Sequence, residues 1–471
     1  MWRTVVATRG LGMPDPVVVE VRGTHPNDED GCQKASWPAI MKLVEPAAQR
    51  IGVEYRCVDA GPVLVPELVP VGGVPPTPAQ AAARRRVAEL VKKELAGCRP
   101  VAAIPDAGES SAELNEVLIR ELGLPGNNVE TFFRRRDKGS MQLALAGAGV
   151  PAVDSCMATA SEHVPPFLIP PTRDLAAVVM KPRASAGSEG VRRVCSQRQL
   201  DAAFEEVMKT PTLFGVDKDS MVVQEELIGP QYVLNFVTLN GHHVVSDAWV
   251  AEKEWVPGTN GVVYTRQQLV LDTREIGAVV EYGVQVLEAC GVEWGCSHVE
   301  VVATKEGPRL LEINPRSAGH LPRATISVGY DQITLLATAI WRPEKFPVLF
   351  PSVHCPQGDA PLRRRVRVVF MRSPRQGELR LRDLLPIRQL ASFQRFDRCF
   401  ELQSTVLFAS YVLQDRFIPV QATVDLMTCP FVVILASEDE GQLDQDERRL
   451  REFEAELYKA PGTFDPSKKL E

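Results

Sequence analysis

Two acidic residues in apolar surroundings are the clearest candidates for chemistry in this sequence. Glu300 lies in the apolar segment 298–302, and Glu312 lies in the segment 310–313, after a turn that contains Gly307. Two strands joined by such a turn are antiparallel neighbours, which brings the two carboxylates side by side. Carboxylates on apolar strands need a compensating charge, and Mg²⁺ takes hard oxygen ligands. The pair therefore predicts a magnesium site.

Two further polar residues follow Glu312 on the same predicted strand. Side chains alternate between the two faces of a strand, so Asn314 points to the same side as Glu312, and so does Arg316 if the strand continues that far. Asn314 would add a neutral oxygen ligand to the metal. Arg316 is placed to stabilise negative charge that develops between a phosphate and an acceptor. The alternative for the whole segment is an exposed sheet face with a salt bridge.

A lysine followed by small residues predicts a phosphate-binding loop. The apolar segment 178–180 leads to Lys181, and the small residues 184–188 and Gly190 precede a second apolar segment. Small residues let backbone N–H groups approach an anion, and the lysine adds a positive charge. A Walker A loop is excluded, because there the lysine and the Ser/Thr begin a helix. Taken alone, the segment is equally typical of a Gly/Ser hairpin turn.

An acidic stretch between two predicted strands is the candidate for adenine binding. Residues 222–228 form one strand, which breaks at Gly229-Pro230 and resumes at Gln231. A hinge of this kind presents backbone N–H and C=O groups to the edge of an adenine. On its own the segment also fits a β-hairpin with acidic side chains, so the nucleotide hypothesis depends on the other segments.

Alternating strands and helices predict the organisation of the chain. In the first part, strands are predicted at 17–21, 53–58 and 101–104, and helices after Thr77 and after Ser110. This alternation implies an open parallel sheet. Breaker residues at 124–128 and after residue 341 divide the chain into three parts. These are an N-terminal α/β domain (1–128), a nucleotide- and metal-binding domain (129–345) and a C-terminal α/β cap (346–471).

Composition limits the class of protein. With 53 basic and 60 acidic residues the net charge is −7, which argues against a dedicated nucleic-acid-binding protein. No uncharged apolar run approaches the roughly 20 residues that span a bilayer, and the first residues lack the apolar core of a signal peptide. The ten cysteines show no C-x-x-C spacing, which indicates reduced thiols. We therefore expect a soluble cytoplasmic protein without a nucleic-acid or membrane partner.

Taken together, these segments resemble the ATP-grasp superfamily over residues 100–345. Residues 137–141, which contain Lys138, are similar to the first lysine of that family and its helix. Lys181 and its loop are similar to the second lysine. Residues 224–231 resemble the adenine hinge, with Gln231 where many members have glutamate. The resemblance implies an α/β ATP-grasp fold with an N-terminal open parallel-sheet domain and a small C-terminal α/β cap.

The resemblance also implies roles for individual residues. Lys181 and Arg316 are the implied catalytic residues. Apart from the resemblance, Glu109 at a predicted helix start is a candidate for binding the substrate's ammonium group, with an ordinary first-turn helix acid as the alternative. Arg323 is a candidate for binding a substrate carboxylate. The implied nucleotide-binding residues are Lys138, Lys181, Ser185, Ala186, Gly187, Ser188, Gln224, Glu225, Glu226, Leu227 and Gln231. The implied metal ligands are Glu300, Glu312 and Asn314, which would bind Mg²⁺, with Mn²⁺ as a substitute.

Within the superfamily, segments 122–127, 329–332 and 368–370 are most similar to the L-amino-acid ligases and the carnosine-synthase-like enzymes. This similarity implies an ADP-forming ligase that couples a small carboxylic acid, such as an amino acid, to an amine through an acyl phosphate. Homodimers are frequent in the family. Two other functions stay open at this point. One is an inactive ATP-binding homologue that acts through partners, and the other is a bicarbonate-using carboxylase or carbamoyl-phosphate-type enzyme.

Overall fold

The computed structural model describes the regular elements of the N-terminal part and most of the remaining chain. The described residues are 2–10, 16–24, 54–62, 78–94, 98–105, 111–171, 176–185, 187–209, 219–256, 261–318, 332–354, 364–397, 417–426, 428–459 and 464–465. Among these residues, no helix combines the length and the apolar character needed to cross a membrane.

The N-terminal part contains a four-stranded sheet. Its elements are β1 (Trp2–Gly10), β2 (Pro16–Thr24), β3 (Glu54–Pro62), α1 (Pro78–Glu94), β4 (Cys98–Pro105) and α2 (Ser111–Leu122). The strand order is β3-β2-β1-β4, with β2 and β3 parallel as predicted. However, β1, which was not among the predicted strands, runs antiparallel to both β2 and β4, so the sheet is mixed rather than fully parallel. The segment 11–15 between β1 and β2 is too short for a crossover, which forces antiparallel pairing.

A second, smaller sheet carries the lysine and its loop. The elements of this region are α3 (Phe133–Arg136), α4 (Lys138–Gly147), β5 (Ser155–Ala158), β6 (Val178–Pro182), β7 (Arg192–Val194), α5 (Gln197–Met208) and β8 (Met221–Glu225). The strand order is β5-β8-β6-β7, and all pairs are antiparallel. One face of this sheet packs on α5, where Met221 and Val223 of β8 join Leu200 and Phe204 in an apolar core. The opposite face is left for polar residues.

An eight-stranded antiparallel sheet is the largest unit of the fold. Its first elements are β9 (Gln231–Leu239), β10 (His242–Trp255), β11 (Val262–Leu269), α6 (Gly277–Ala289), β12 (Trp294–Thr304), β13 (Gly307–Asn314), α7 (Gln332–Trp341) and α8 (Phe346–Leu349). One face, which includes Leu234, Phe236 and Val299, packs on α6. Because side chains alternate along each strand, Glu300 and its polar neighbours lie on the other face.

The C-terminal part extends the same sheet. Its elements are β14 (Arg365–Phe370), β15 (Gly377–Arg380), β16 (Phe393–Asp397), β17 (Phe417–Val420), β18 (Val432–Ser437), α9 (Glu440–Leu457) and β19 (Phe464–Asp465). The order in the large sheet is β13-β12-β9-β10-β11-β14-β18-β16, and β17-β15-β19 form a separate small sheet. The predicted boundary at residue 345 thus falls between strands of one continuous sheet, and the division into three parts stays a prediction.

A buried arginine joins the N-terminal part to the large sheet. Arg135 of α3 is fully buried and donates hydrogen bonds to the carbonyl oxygens of Asn128, Cys290 and Gly291. Its guanidinium also lies 3.4 Å from the carboxylate of Glu116 on α2. The carbonyls of residues 290 and 291 follow the end of α6, so the arginine charge also complements the negative end of that helix. These contacts fix the start of α4 relative to α6.

Candidate functional site

The two predicted metal carboxylates are direct neighbours across the β12–β13 hairpin. Glu300 pairs with Glu312, and His298 pairs with Asn314 in the same register. Gly307 at the turn has φ 107°, a conformation that favours glycine, so the turn residue itself helps to specify this hairpin. The sequence-based expectation that the two carboxylates lie side by side is therefore confirmed.

Hydrogen-bond donors surround the carboxylate of Glu300. Its carboxylate accepts hydrogen bonds from the side-chain amide of Gln231 and, at 3.1 Å, from the ammonium group of Lys253. The hydroxyl of Tyr264 and the Nε2 atom of His298 lie 3.4 and 3.5 Å from the carboxylate. Burial alone would raise the pKa of Glu300, but the positive charge of Lys253 and the His298 contact lower it below its ordinary value. Glu300 is therefore held as an anion.

Lys253 was not among the predicted site residues. It lies on β10 opposite Tyr264 of β11, and its Nζ atom sits 4.2 Å from the centre of the Tyr264 ring. Burial opposes its charge, but the carboxylate of Glu300 outweighs this effect and raises the pKa of Lys253 above its ordinary value. Its contact with Glu300 depends on the strand order β10-β9-β12, which no local sequence signal reveals. Lys253 thus adds a permanent positive charge to the site.

The two predicted phosphate lysines converge on the same hairpin. The Nζ atom of Lys138, at the start of α4, is 3.1 Å from the carboxylate of Glu312 and donates to the carbonyl oxygen of Ser185 at 3.2 Å. The Nζ atom of Lys181 donates to the carbonyl oxygen of Leu311 at 3.0 Å. Burial, and then the nearby charge of Lys138, lowers the pKa of Lys181 to about 7. The two ammonium groups repel each other and would both gain from an anionic ligand between them.

A clamp holds the two lysines at a fixed separation. Asp137 caps α4 by accepting a hydrogen bond from the Ser140 N–H at 2.7 Å. Its second carboxylate oxygen accepts from the guanidinium of Arg183 at 2.5 Å, and the carbonyl oxygen of Arg183 accepts from the Lys138 N–H at 2.9 Å. Arg183 lies two residues after Lys181, so the clamp connects the backbones that carry both lysines.

The small-residue loop lies beside this lysine pair. Ser185 is buried, and its hydroxyl donates to the carbonyl oxygen of Glu189 at 3.3 Å. Gly187 and Ser188 both have φ 65°, which turns the chain tightly. A turn of small residues lets its backbone N–H groups come close to an anion. Ala186, also predicted here, lies outside the described residues.

In the predicted adenine hinge, one side-chain oxygen is buried without a hydrogen-bond donor from the described part of the chain. Gln224 lies opposite Val179 of β6, on the same face as Lys181 and opposite the α5 core. It is 1% exposed, and within the described part of the chain no donor reaches its Oε1 atom. An unsatisfied buried carbonyl oxygen is costly unless a ligand completes it. The structure thus places an acceptor at the floor of the predicted nucleotide site.

The remaining hinge residues are held mainly by protein contacts. The N–H groups of Glu225 and Glu226 donate to the carbonyls of Asp154 and Ala177 at 3.0 and 3.3 Å. The carboxylate of Glu226 is bound by Arg193, and Gln231, predicted for the ribose, donates instead to Glu300. At Gly229 a side chain would collide with the carbonyl group of Ala303, so the hinge packs directly on β12. Leu227 is half-buried in the same segment.

The last predicted residues lie at and beyond the end of β13. The amide of Asn314 donates to the carboxylate of Glu312 at 3.3 Å, and Arg316 donates to the carbonyl oxygen of Ser317 at 2.9 Å. Asn314 thus lies on the side of Glu312, whereas the strand ends at Asn314, so the alternation argument does not extend to Arg316. Glu109 and Arg323, predicted to bind the substrate, lie outside the described residues.

A polar row lies beside the carboxylates, and two of its members, Asp247 and Asn235, were not predicted. Asp247, Asn235, His298 and Asn314 lie on adjacent strands in matching register. Asn235 donates to Asp247 at 2.5 Å, so its carbonyl oxygen faces His298 and accepts from Nδ1 at 2.9 Å. This arrangement turns Nε2 of His298 towards Glu300. Partners of this kind orient metal ligands, and here they depend on a non-local strand order.

The donor set fits a small hard cation together with a polyphosphate. Glu300 and Glu312 supply carboxylate oxygens, Asn314 an amide oxygen, and the lysines neutralise further anionic groups. No described part of the chain gathers three or more His, Cys, Asp or Glu side chains around one metal position. A metal at this hairpin would therefore take some of its ligands from phosphate or water, as Mg²⁺ usually does.

Comparisons with known proteins agree with this geometry. Residues 175–323 match the family model described as an ATP-grasp domain, a range that contains the loop, the hinge and the carboxylate hairpin. Dapdiamide A synthase of Enterobacter agglomerans is 28% identical over 372 residues, which cover 78% of this chain and 80% of that protein.

Two solved structures share the fold. The L-amino acid ligase of Bacillus licheniformis has a TM-score of 0.58 and 15% identity, and covers 85% of this chain and 87% of its own. Carboxyaminoimidazole ribonucleotide synthase of Aspergillus clavatus, complexed with ATP, has a TM-score of 0.56 and 11% identity, over 88% of this chain and 96% of its own. At these identities the likeness concerns the fold alone.

Proposed function

We propose that this chain, whose residues 175–323 match an ATP-grasp domain, couples a carboxylic acid to an amine through an acyl phosphate, with ADP and phosphate as products. The observation that carries the proposal is the position of Lys138, whose ammonium group touches both the loop at Ser185 and the carboxylate of Glu312. The phosphate-binding and metal-binding elements thus meet at one point. The ATP γ-phosphate belongs at this point.

In the proposed reaction, a carboxylate oxygen of the acid attacks the γ-phosphorus while the bond to the β-phosphate oxygen breaks. Lys138, Lys181 and the N–H groups of the loop hold the phosphate oxygens in place. Glu300, Glu312 and Asn314 would hold Mg²⁺, which supplies neutralising charge to the transferring phosphoryl group. Lys253 holds Glu300 in its charged form and adds positive charge on the same side.

The second step joins the acid to the amine. The amine nitrogen attacks the acyl carbon, a proton leaves the nitrogen, and phosphate departs with the bonding electron pair. Arg316 stabilises the negative oxygen of the tetrahedral intermediate. An amino acid is the proposed acid, because dapdiamide A synthase and the L-amino acid ligase are the relatives whose names concern amide or amino-acid ligation.

The proposal is tested by measuring phosphate release from ATP and Mg²⁺ with single amino acids and with pairs, followed by mass spectrometry of active mixtures. We expect ADP, phosphate and a product in which one water has been lost between acid and amine. AMP and pyrophosphate would contradict the acyl-phosphate mechanism. ADP release stimulated by bicarbonate would favour carboxylation, and ADP release without any condensed product would favour an ATP-binding homologue that acts through partners.

Gln224 provides a separate test of the nucleotide site. We propose that its Oε1 accepts a hydrogen bond from the adenine amino group. Gln224→Leu should weaken ATP binding about tenfold, the cost of one lost hydrogen bond. It should leave the free energy of unfolding of the ATP-free protein unchanged or higher, because an unsatisfied buried oxygen is removed. Calorimetric ATP binding and urea unfolding measure the two effects.

ATP affinity is expected to fall while the free energy of unfolding does not, so the two measurements distinguish a binding role of Gln224 from a packing role. Loss of both stability and affinity would indicate that Gln224 serves packing, and unchanged affinity would remove it from the adenine site. Gln197→Leu is a matched control, because it makes the same substitution at an exposed position at the start of α5. We expect its ATP affinity to stay within about twofold of wild type, since a substitution at a surface position has little effect.

A further inference from the structure

A bidentate ion pair joins the exit of the phosphate loop to the adenine hinge. Arg193 is the middle residue of β7, the strand that follows the loop, and Glu226 is the first residue after β8. Nε of Arg193 donates to one carboxylate oxygen of Glu226 at 2.6 Å, and Nη2 donates to the other at 2.7 Å. The side chains are 34% and 13% exposed, so the pair is partly protected from water.

The geometry of this pair restricts the hinge strongly. Two parallel N–H···O bonds fix the orientation of the carboxylate as well as its distance. The backbone of Glu226 is held as well, because its N–H donates to the carbonyl of Ala177, which precedes β6. Arg193 in turn pairs with Val179 of β6. The hinge residue is thus fixed both through its side chain and through its main chain.

The same contacts change the role expected of Glu226. Its carboxylate has both oxygens engaged by Arg193, so it does not serve as a direct nucleotide ligand while the pair is intact. Resting on the proposed ATP-dependent function, we propose that Arg193 is a positioning residue for adenine, which it holds in register through Glu226. One ion pair then connects the two elements that bind the opposite ends of ATP.

This connection predicts a particular pattern of binding. The hinge contacts the base, so loss of the ion pair should weaken the binding of ATP and the binding of ADP by the same factor. A defect in the lysine cluster should instead weaken ATP more than ADP, because the γ-phosphate contacts are lost. Loss of the ion pair should also reduce the preference for adenine over guanine, because a hinge that is free to shift accommodates a different purine edge.

Arg193→Gln and Glu226→Gln should each weaken ATP and ADP binding about tenfold, as expected for a charge-assisted bidentate contact. The double variant Arg193→Gln/Glu226→Gln should bind no more weakly than either single variant, because the pair acts as one unit. The charge-reversed variant Arg193→Glu/Glu226→Arg should recover part of the lost affinity. The ratio of ATP to GTP affinity should fall in the single variants.

Arg192 offers a matched control on the adjacent residue. Its guanidinium pairs with Glu206 of α5 at 2.7 Å, so Arg192→Gln also breaks an ion pair of β7. That pair does not touch the hinge, and we expect unchanged nucleotide affinity. Thermal unfolding without nucleotide should be similar for Arg192→Gln and Arg193→Gln. Since a purely structural role would lower the melting temperature without changing the ATP-to-GTP ratio, the two readouts separate positioning from stability.

The experiment is calorimetric binding of MgATP, MgADP and MgGTP to the full chain, without acid or amine. Wild-type affinity for ATP in a folded Arg193→Gln variant would overturn the inference, and so would fully additive losses in the double variant. If Arg193→Gln does not fold, Glu226→Gln and the charge-reversed variant give the same test. Absence of ATP binding by the wild-type protein would overturn the proposed function itself, which distinguishes the two failures.

Discussion

Replacing Glu312 with glutamine should lower kcat by about 10²- to 10³-fold, the range seen when one stabilising group is removed from a charged transition state. It should also raise the Mg²⁺ concentration needed for half-maximal rate. Glutamine preserves the size of the side chain but removes the negative charge opposite Glu300. Because Lys138 is 3.1 Å from this carboxylate, the variant also releases one phosphate-binding lysine from its partner.

The measurement is the steady-state rate as a function of Mg²⁺ concentration, at saturating ATP. Glu306 lies exposed in the turn of the same hairpin, so Glu306→Gln changes the same formal charge without touching the carboxylate pair. We expect this control to keep the wild-type rate. A Glu312→Gln variant that retained both rate and metal dependence would remove the β12–β13 hairpin from the metal site. Repeating the titration with Mn²⁺ tests whether that ion substitutes.

The hairpin illustrates what could be predicted from the sequence. The pairing of Glu300 with Glu312 is a local consequence of two apolar segments and a turn at Gly307, all within a short stretch of chain. Alternation along a strand then placed Asn314 on the same side. Each of these signals is contained in a few neighbouring residues, and local physics decides them. Lys138, in contrast, was recognised only through the resemblance of residues 137–141 to the first lysine of the ATP-grasp superfamily.

Contacts between distant strands could not be predicted in this way. Lys253 reaches Glu300 because β9 lies between β10 and β12, and the order of strands in a sheet depends on the whole fold. The same order brings the amide of Gln231 to Glu300 rather than leaving it free for a ribose. The strand β1 was missed for a related reason. The strand is recognised by its pairing with β2 and β4, whereas its own residues give only a weak strand pattern.

Two ion pairs fix the elements around the site. The clamp between Asp137 and Arg183 fixes the two lysines, and the pair formed by Arg193 and Glu226 fixes the hinge. Both ion pairs involve residues that flank the small-residue loop on either side. The loop between them has contacts of its own, because the carbonyl of Ser185 accepts from Lys138 and that of Gly187 accepts from the Leu426 N–H at 3.3 Å.

Arg316 is the residue whose removal should separate the two chemical steps. Its backbone is fixed, because its N–H donates to the carbonyl of Asn314 at 2.9 Å. Gln332, fully buried, accepts from the Ala318 N–H and donates to the carbonyls of Phe236 and Ser297, which ties the following segment to the large sheet. The backbone that carries the Arg316 side chain is therefore supported on both sides, directly after the strand that carries Glu312. A charge placed in advance in this way stabilises a developing oxyanion without reorganisation.

Arg316→Ala should lower the rate of amide formation by about 10²- to 10³-fold, because about 3–4 kcal/mol of transition-state stabilisation is lost. Formation of the acyl phosphate should be less affected, since the lysines and the metal serve that step. Hydroxylamine traps an acyl phosphate as a hydroxamate, so hydroxamate formation should persist while amide formation falls. Arg309→Ala, on the same hairpin, is the matched control and should leave both rates unchanged. Equal loss of hydroxamate and amide would instead place Arg316 in the phosphoryl-transfer step, and near-normal amide formation would exclude it from catalysis.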